Sequence, residues 1–101
     1  MRQGEQVQDP AHVPAYPIGA TFDFPTKLDG QAITGRLKVT GLRWLPQGQV
    51  LLNALEGEAD RGTYGYHFET SIVGRTGTSW AEMSEGVLKQ HVTEGAYKRV
   101  S

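Results

Sequence analysis

The strongest constraint on the fold is a regular alternation of side chains between residues 63 and 73. The apolar side chains fall on one side of an extended chain: Tyr64, Tyr66, Phe68 and Ile72. The polar or small residues fall on the other: Thr63, Gly65, His67, Glu69 and Ser71. Because successive side chains of a strand point to opposite faces, this pattern predicts a strand with one buried face. We expect its aromatic residues to fill the core with Phe22 or Phe24.

A second alternating segment runs from Ala32 to about Leu45. One face carries Ile33, Gly35, Leu37 and Val39, and the other carries Thr34, Arg36, Lys38 and Thr40. Leu42 and Trp44 then fall on the opposite phase. Since Gly41 stands where the phase changes, we predict a β-bulge or bend at this glycine.

Turn residues divide the rest of the chain into short pieces. Thirteen glycines and five prolines favour short strands over long helices. We predict a first strand that Pro25 ends and a tight turn at Asp29-Gly30. The later pieces are a turn at residues 46–49, a strand over 50–55, an acidic loop over 56–62 and a short closing strand over 96–100.

Two structures are compatible with the segment after residue 78. Ser79 and Glu82 have the spacing of a capping box, and an apolar stripe of helical period follows: Trp80, Met83, Val87 and Leu88. This pattern predicts an amphipathic helix that begins at Ser79. The alternative is a short strand over Thr78–Met83 followed by a single 3₁₀ turn that Ser84 caps.

The 101 residues correspond to one domain, which we place at 16–101 behind a flexible N-terminal arm of residues 1–15. The fold class is mainly β: a small curled antiparallel sheet or barrel of about five strands with one short C-terminal helix. Residues 16–100 resemble the SH3-like small β-barrels in four stretches: "YPIGATFDFP", "ITGRLKVTGLRWL", "TYGYHF" and "MSEGVL". That resemblance implies a fold that hosts peptide binders, nucleic-acid binders and assembly modules, so it selects no function.

Composition narrows the classes of function. Ten basic and eleven acidic residues give a formal net charge of −1, whereas proteins that bind polyanions without sequence preference usually carry a basic excess. The absence of cysteine excludes disulfides, thiolate metal sites and a cysteine nucleophile. No apolar run reaches the roughly 18 residues that span a membrane. The first ten residues lack the apolar segment of a signal peptide, so we expect no membrane partner and a cytoplasmic location.

Three groups of residues are candidate binding sites. A protein partner is expected at Trp44, which stands beside a bend and a turn where full burial is difficult, together with its neighbours Arg43, Leu45 and Tyr64. A nucleic acid would follow the basic strand positions Arg36, Lys38 and Arg43. A phosphate or nucleotide would bind a glycine-rich loop that leads into a helix: Gly74, Arg75, Gly77, Thr78 and Ser79.

No catalytic constellation, metal-ligand spacing or cofactor motif is recognisable in the sequence. The three histidines are His12, His67 and His91, and no two of them have the spacing of a helical metal site. We therefore expect a non-enzymatic binding module without a cofactor or metal. Its partner is expected to be another protein, with nucleic acid or a small anion as the alternatives. An accessory or inhibitor protein of the phage or plasmid type fits this description, and the oligomeric state is left open.

Overall fold

The computed structural model describes residues 6–7, 13–46 and 54–101. Their helices and strands are, in chain order, β1 (Gln6–Val7), β2 (Thr21–Leu28), β3 (Gln31–Leu45), α1 (Glu58–Arg61), β4 (Thr63–Ile72), β5 (Ser79–Ser84), α2 (Glu85–Thr93) and β6 (Lys98–Arg99). The predicted mainly-β class with a short helix near the C-terminus is confirmed. Within the predicted acidic loop, the chain forms the four-residue helix α1.

The strands form one sheet in the order β5-β4-β3-β2-β6, and each neighbour pair in this order is antiparallel. β1 lies off this path and pairs in parallel with β3 at Leu42 and Arg43. The pairing of β3 with β4 changes register between Val39 and Gly41, which confirms the predicted bulge. The bulge returns the apolar residues of β3 to the core side, so that Leu42 lies opposite Tyr66.

The hairpin between β2 and β3 confirms one prediction and corrects another. Asp29 and Gly30 both have positive φ, at 51° and 80°, as the predicted tight turn requires. Pro25 does not end the strand, however, since β2 continues through it to Leu28. β6 pairs only with Phe22 and Asp23, so no described strand covers β2 at Pro25 on that side. A residue without an N–H is tolerated at such an edge position.

The core lies between one face of the sheet and α2. Phe22, Tyr66 and Phe68 point into it from the sheet, and Val87 and Leu88 close it from the helix. The predicted aromatic core of β4 is therefore confirmed. The sheet does not close into a barrel, since β5 and β6 lie at opposite ends of the strand order and do not pair with each other. The expectation of an SH3-like barrel is thus wrong, although that of a small antiparallel sheet is correct. Among the described residues, no helix has the length and apolar character needed to cross a membrane.

The segment after residue 78 follows the alternative prediction more closely than the first. Ser79 begins β5 and does not cap a helix. Ser84 is the N-cap of α2, and its hydroxyl oxygen accepts a hydrogen bond from the backbone N–H of Val87 at 3.2 Å. α2 is a nine-residue α-helix and not a single 3₁₀ turn. The capping-box prediction fails because pairing with β4 holds residues 79–84 extended.

Several predictions fall wholly or partly outside the described residues. The turn at 46–49 and the strand at 50–55 lie mostly there, and so does most of the predicted arm. Within the range of that arm, Gln6–Val7 pairs with β3, and the backbone N–H of Ala15 donates to the Glu85 carboxylate at 2.9 Å.

A buried carboxylate joins α1, β4 and α2. Glu58 is only 4% exposed, and among the described residues four uncharged donors surround its carboxylate. These are the N–H of Leu55 at 2.6 Å, the hydroxyl of Thr63 at 2.8 Å, the hydroxyl of Ser84 and the N–H of Gly86 at 3.0 Å. Burial alone would raise the pKa of Glu58, but the hydrogen bonds outweigh it and lower the pKa below its ordinary value.

Gly86 gives the Glu58 carboxylate the space that it occupies. A Cβ atom built on Gly86 would lie 2.6 Å from one carboxylate oxygen of Glu58 and 2.8 Å from the other. The glycine therefore lies in the first turn of α2 for a packing reason, despite its poor helix propensity.

We expect Gly86→Ala to destabilise the protein by about 1–3 kcal/mol, although alanine is the better helix former, because the added methyl group displaces the carboxylate. Urea unfolding followed by circular dichroism measures the change. Gln90→Ala, at an exposed position of the same helix, is the control and should change stability little. Stabilisation by Gly86→Ala would contradict the contact.

The lowered pKa of Glu58 predicts a specific loss of stability in acid. The stabilisation is complete above the unfolded-state pKa of about 4.3 and is lost as the pH falls through the lower folded-state value. Glu58→Gln should cost about 1–3 kcal/mol at pH 7 and flatten the acid limb of the stability curve. Denaturant midpoints from pH 2 to pH 7 test this, with the exposed carboxylate variant Glu94→Gln as the control. Parallel curves for Glu58→Gln and the parent protein would exclude the assigned role.

Candidate functional site

Among the described residues, α2 covers one face of the sheet and no layer covers the other. We call the side away from α2 the outer face and define it by its charged and aromatic residues: Asp23, Arg36, Lys38, Arg43, His67, Glu69, Trp80 and Glu82. The register of the strands sets these residues side by side, with Asp23 opposite Arg36, Lys38 opposite Glu69, and His67 opposite Glu82. The outer face is therefore a polar platform that crosses four strands.

Trp80 is the most distinctive residue on the outer face. In β5, Ala81 and Met83 point towards the core, so the alternation of the strand directs Trp80 and Glu82 outward. The Trp80 side chain is 67% exposed, the highest value for an aromatic residue among those described. A large indole at this position contributes little to the core, which leaves it available for contact with another molecule.

The Trp80 ring is held against the neighbouring strand. It stacks on the imidazole of His67, with 5.5 Å between ring centroids and 21° between ring planes. The imidazole is fixed in turn by Thr40, whose hydroxyl lies 3.0 Å from His67 Nδ1 and is located at the bulge of β3. Thr40 at the bulge therefore positions the His67 ring, and the His67 ring packs against one face of the Trp80 indole. The other face of the indole is open to solvent.

Charges on the outer face largely balance. Arg36 donates two hydrogen bonds to the Asp23 carboxylate, from Nε at 2.7 Å and from a terminal nitrogen at 3.0 Å. These hydrogen bonds lower the pKa of Asp23 and raise the pKa of Arg36. Lys38 has Glu69 as its cross-strand neighbour. The predicted nucleic-acid residues Arg36, Lys38 and Arg43 do share this face, but the acidic residues beside the first two weaken its attraction for a polyanion.

The four residues predicted to bind a protein do not form one surface. Arg43 is exposed on the outer face, whereas Trp44 lies opposite Tyr64 on the core side, with their rings edge to face at 5.2 Å. Leu45 and Tyr64 are 3% and 1% exposed, so neither offers side-chain area to a partner. Trp44 is half-buried and borders an open cleft of about 540 Å³ together with Arg61 and Lys89.

The glycine-rich loop connects two strands and does not lead into a helix. Gly74 and Gly77 have positive φ, at 86° and 97°, and the N–H of Arg75 donates to the carbonyl of Ile72 at 3.0 Å. Ser79 is the first residue of β5. The helix N-terminus on which the predicted anion site depended is therefore not at this loop, and Arg75 is its one basic side chain.

On the core side, the carboxylates of Glu58 and Glu85 and the hydroxyl of Tyr66 are engaged in structural hydrogen bonds. The Tyr66 hydroxyl donates to Glu85 at 2.7 Å, and burial together with this carboxylate raises the pKa of Tyr66. Glu58 is occupied by its four donors, as described above. In the part of the chain that the structure describes, no group of three or more histidine, aspartate or glutamate side chains could hold a metal ion.

The comparisons with known proteins assign no family or function to this chain. No protein-family model, curated protein or solved structure matches the chain.

The sequence pattern does not predict Trp80 as a candidate site residue, because the helical stripe that begins there places its side chain on the core side. The competing period was present in the same residues: Ala81 and Met83 alternate with Trp80 and Glu82. An extended assignment for 79–84 would have predicted a tryptophan on the face opposite the core.

The ring contact predicts a coupling between His67 and the environment of Trp80. In protein labelled with 5-fluorotryptophan, His67→Ala should shift and narrow the ¹⁹F resonance that Trp80→Phe removes, because the indole loses its stacking partner. Ser71→Ala, also on β4 but beyond the last residue paired with β5, should leave that resonance unchanged. An unaltered Trp80 resonance in His67→Ala would mean that the two rings do not stack in solution.

Proposed function

We propose that this protein is a non-enzymatic binding module that contacts another protein through the outer face, with Trp80 as the anchor. The exposure of Trp80 carries the proposal, since tryptophan is among the residues that contribute most to the energy of protein interfaces. His67 and Thr40 support it by restricting the indole before a partner binds, which reduces the entropy lost on binding.

The charge pattern favours a protein over a nucleic acid. Polyanion binding draws its affinity from basic side chains that replace counterions, and it needs several of them unpaired. On the outer face, Arg36 is bound to Asp23 and Lys38 has Glu69 as its cross-strand neighbour, which leaves Arg43 without a facing carboxylate on β4. A mixed polar rim around an aromatic centre is the usual composition of a protein interface.

Nucleic acid is the second candidate, and one observation favours it. The free face of the Trp80 indole could stack on a base, as aromatic side chains do in single-strand binding proteins. This alternative requires affinity that falls steeply with salt and depends on Lys38 and Arg43.

Site-specific photo-cross-linking discriminates between the two candidates. A photoreactive benzoyl-phenylalanine replaces Glu82, which is exposed beside Trp80 on the outer face, in one variant, and it replaces Val100, an exposed apolar residue at the opposite edge of the sheet, in the control. After irradiation in cells that produce the protein, we expect a discrete protein adduct from position 82 and none from position 100. An adduct that nuclease removes would favour nucleic acid, and the absence of any adduct would refute the proposed surface.

The partner recovered in this way permits a quantitative test with purified proteins. Trp80→Ala should weaken its binding by about 10-fold or more, the loss expected when an interface anchor is truncated. Val100→Ala is the matched control and should bind normally with the same thermal stability. Equal affinity for the two variants would show that Trp80 is not the anchor.

A further inference from the structure

β5 presents an open edge to solvent. Its one side pairs with β4 over residues 79–84, and no described strand pairs with its other side. Ser79, Trp80 and Glu82 are exposed along this edge. Strands at natural sheet edges are usually protected by lysine, proline or a bulge, and the sequence of β5, SWAEMS, contains neither lysine nor proline.

Only the first four residues of β5, 79–82, are accessible to a further strand at this edge. Ser84 is fully buried, and its hydroxyl donates to Glu58 in α1. A strand added to β5 therefore has to pair near residues 79–82, where Trp80 is exposed.

We propose that this edge pairs with the β5 edge of a second copy of the chain, about a two-fold axis at Trp80. The proposal builds on the proposed function, since it names a second copy as one protein that contacts Trp80. The resulting antiparallel pair places Trp80 opposite Trp80 of the partner subunit and Ser79 opposite Ala81 of the partner subunit. The two sheets become one continuous sheet.

Symmetry and charge select this arrangement. A two-fold axis perpendicular to the sheet places the outer-face residues of one copy opposite outer-face residues of the other. Trp80 and Glu82 therefore each lie opposite Trp80, Glu82 or Thr78 of the other copy. Centring the axis on Glu82 would oppose two carboxylates, which is unfavourable, and centring it on Ser79 or Ala81 would place Trp80 beside Thr78 or Glu82 and form no aromatic pair. Centring it on Trp80 pairs two aromatic rings and places each Glu82 opposite a threonine.

The same register favours a second copy over an unrelated strand. A self-complementary edge needs no other partner, and cyclic two-fold dimers are the commonest oligomers. The net charge of −1 per chain adds little repulsion between copies. Pairing removes much of the exposed Trp80 ring from water, which is the main apolar gain at this edge.

Sedimentation equilibrium tests the dimer directly. We expect the full chain to reach twice its 11.1 kDa mass as its concentration rises. Trp80→Lys should raise the dimer dissociation constant by about 100-fold, because it removes the aromatic pair and opposes two like charges. Val100→Lys, at the far edge of the sheet, is the control and should dimerise like the parent protein, and circular dichroism verifies that both variants fold.

A monomer at concentrations up to about 1 mM, the weak end of protein affinities, would overturn the dimer. A dimer that Trp80→Lys does not weaken would overturn it as well. The proposed function fails separately: a monomeric protein that still cross-links from position 82 to a different protein retains the proposed function and assigns the edge to that protein.

Disulfide trapping tests the register, and the lack of cysteine in the chain makes every introduced thiol unique. Trp80→Cys should form an intermolecular disulfide under mild oxidation, because the two positions face each other within the Cα separation of about 4.4–6.8 Å that a disulfide needs. Glu82→Cys should not, since its Cα atoms would lie about 13 Å apart along the strands. Trapping by Glu82→Cys alone would overturn the arrangement centred on Trp80.

Discussion

The hydrogen bonds of the Glu58 carboxylate link α1, the start of β4 and the beginning of α2. One carboxylate receives donors from the residues before α1, from the start of β4 and from the junction of β5 with α2. Its charge is dispersed over N–H and hydroxyl groups of the described residues, an arrangement that stabilises the ionised form in a buried site. Gly86 leaves room for it, and Ser84 both donates to it and caps α2. The direction in which the chain leaves the sheet after β5 depends on this cluster.

That direction decides which face of the sheet is covered. α2 folds back across the side of the sheet that carries Phe22, Tyr66 and Phe68, so the opposite side has no layer of described residues over it. Polar and charged residues occupy most of the outer face, as expected for an antiparallel sheet with one solvated side. Trp80 is the exception, and its ring stacks on that of His67. The open edge of β5 and the open outer face meet at this one residue, which is why the proposed function and the proposed dimer both depend on it.

Local pattern predicted the strands well and the segment after residue 78 poorly. The alternation in β3 and β4, the bulge at Gly41 and the Asp29-Gly30 turn each follow from a few adjacent residues, and the structure contains all of them. The sequence of residues 79–84 satisfies a helical period through Trp80 and Met83 and a strand period through Ala81 and Met83. Pairing with β4 decided between the two, and that contact is not visible in the segment itself. The exposed tryptophan was missed for this reason, and Leu45 and Tyr64 were assigned to a surface that the fold buries.

By itself, the sequence determined the mainly-β class, the core face of each long strand and the points at which the chain bends. These properties depend on the period of side chains along an extended backbone and on the φ values that glycine and aspartate permit. The tertiary structure alone decided that the sheet stays open, that Glu58 is buried and that Trp80 faces solvent. Each of these depends on contacts between residues that are far apart in the chain. An example is the hydrogen bond between Ser84 and Glu58, which are separated by 26 positions. The free energy of such contacts is set by which layers pack together, and local periodicity carries no information on it.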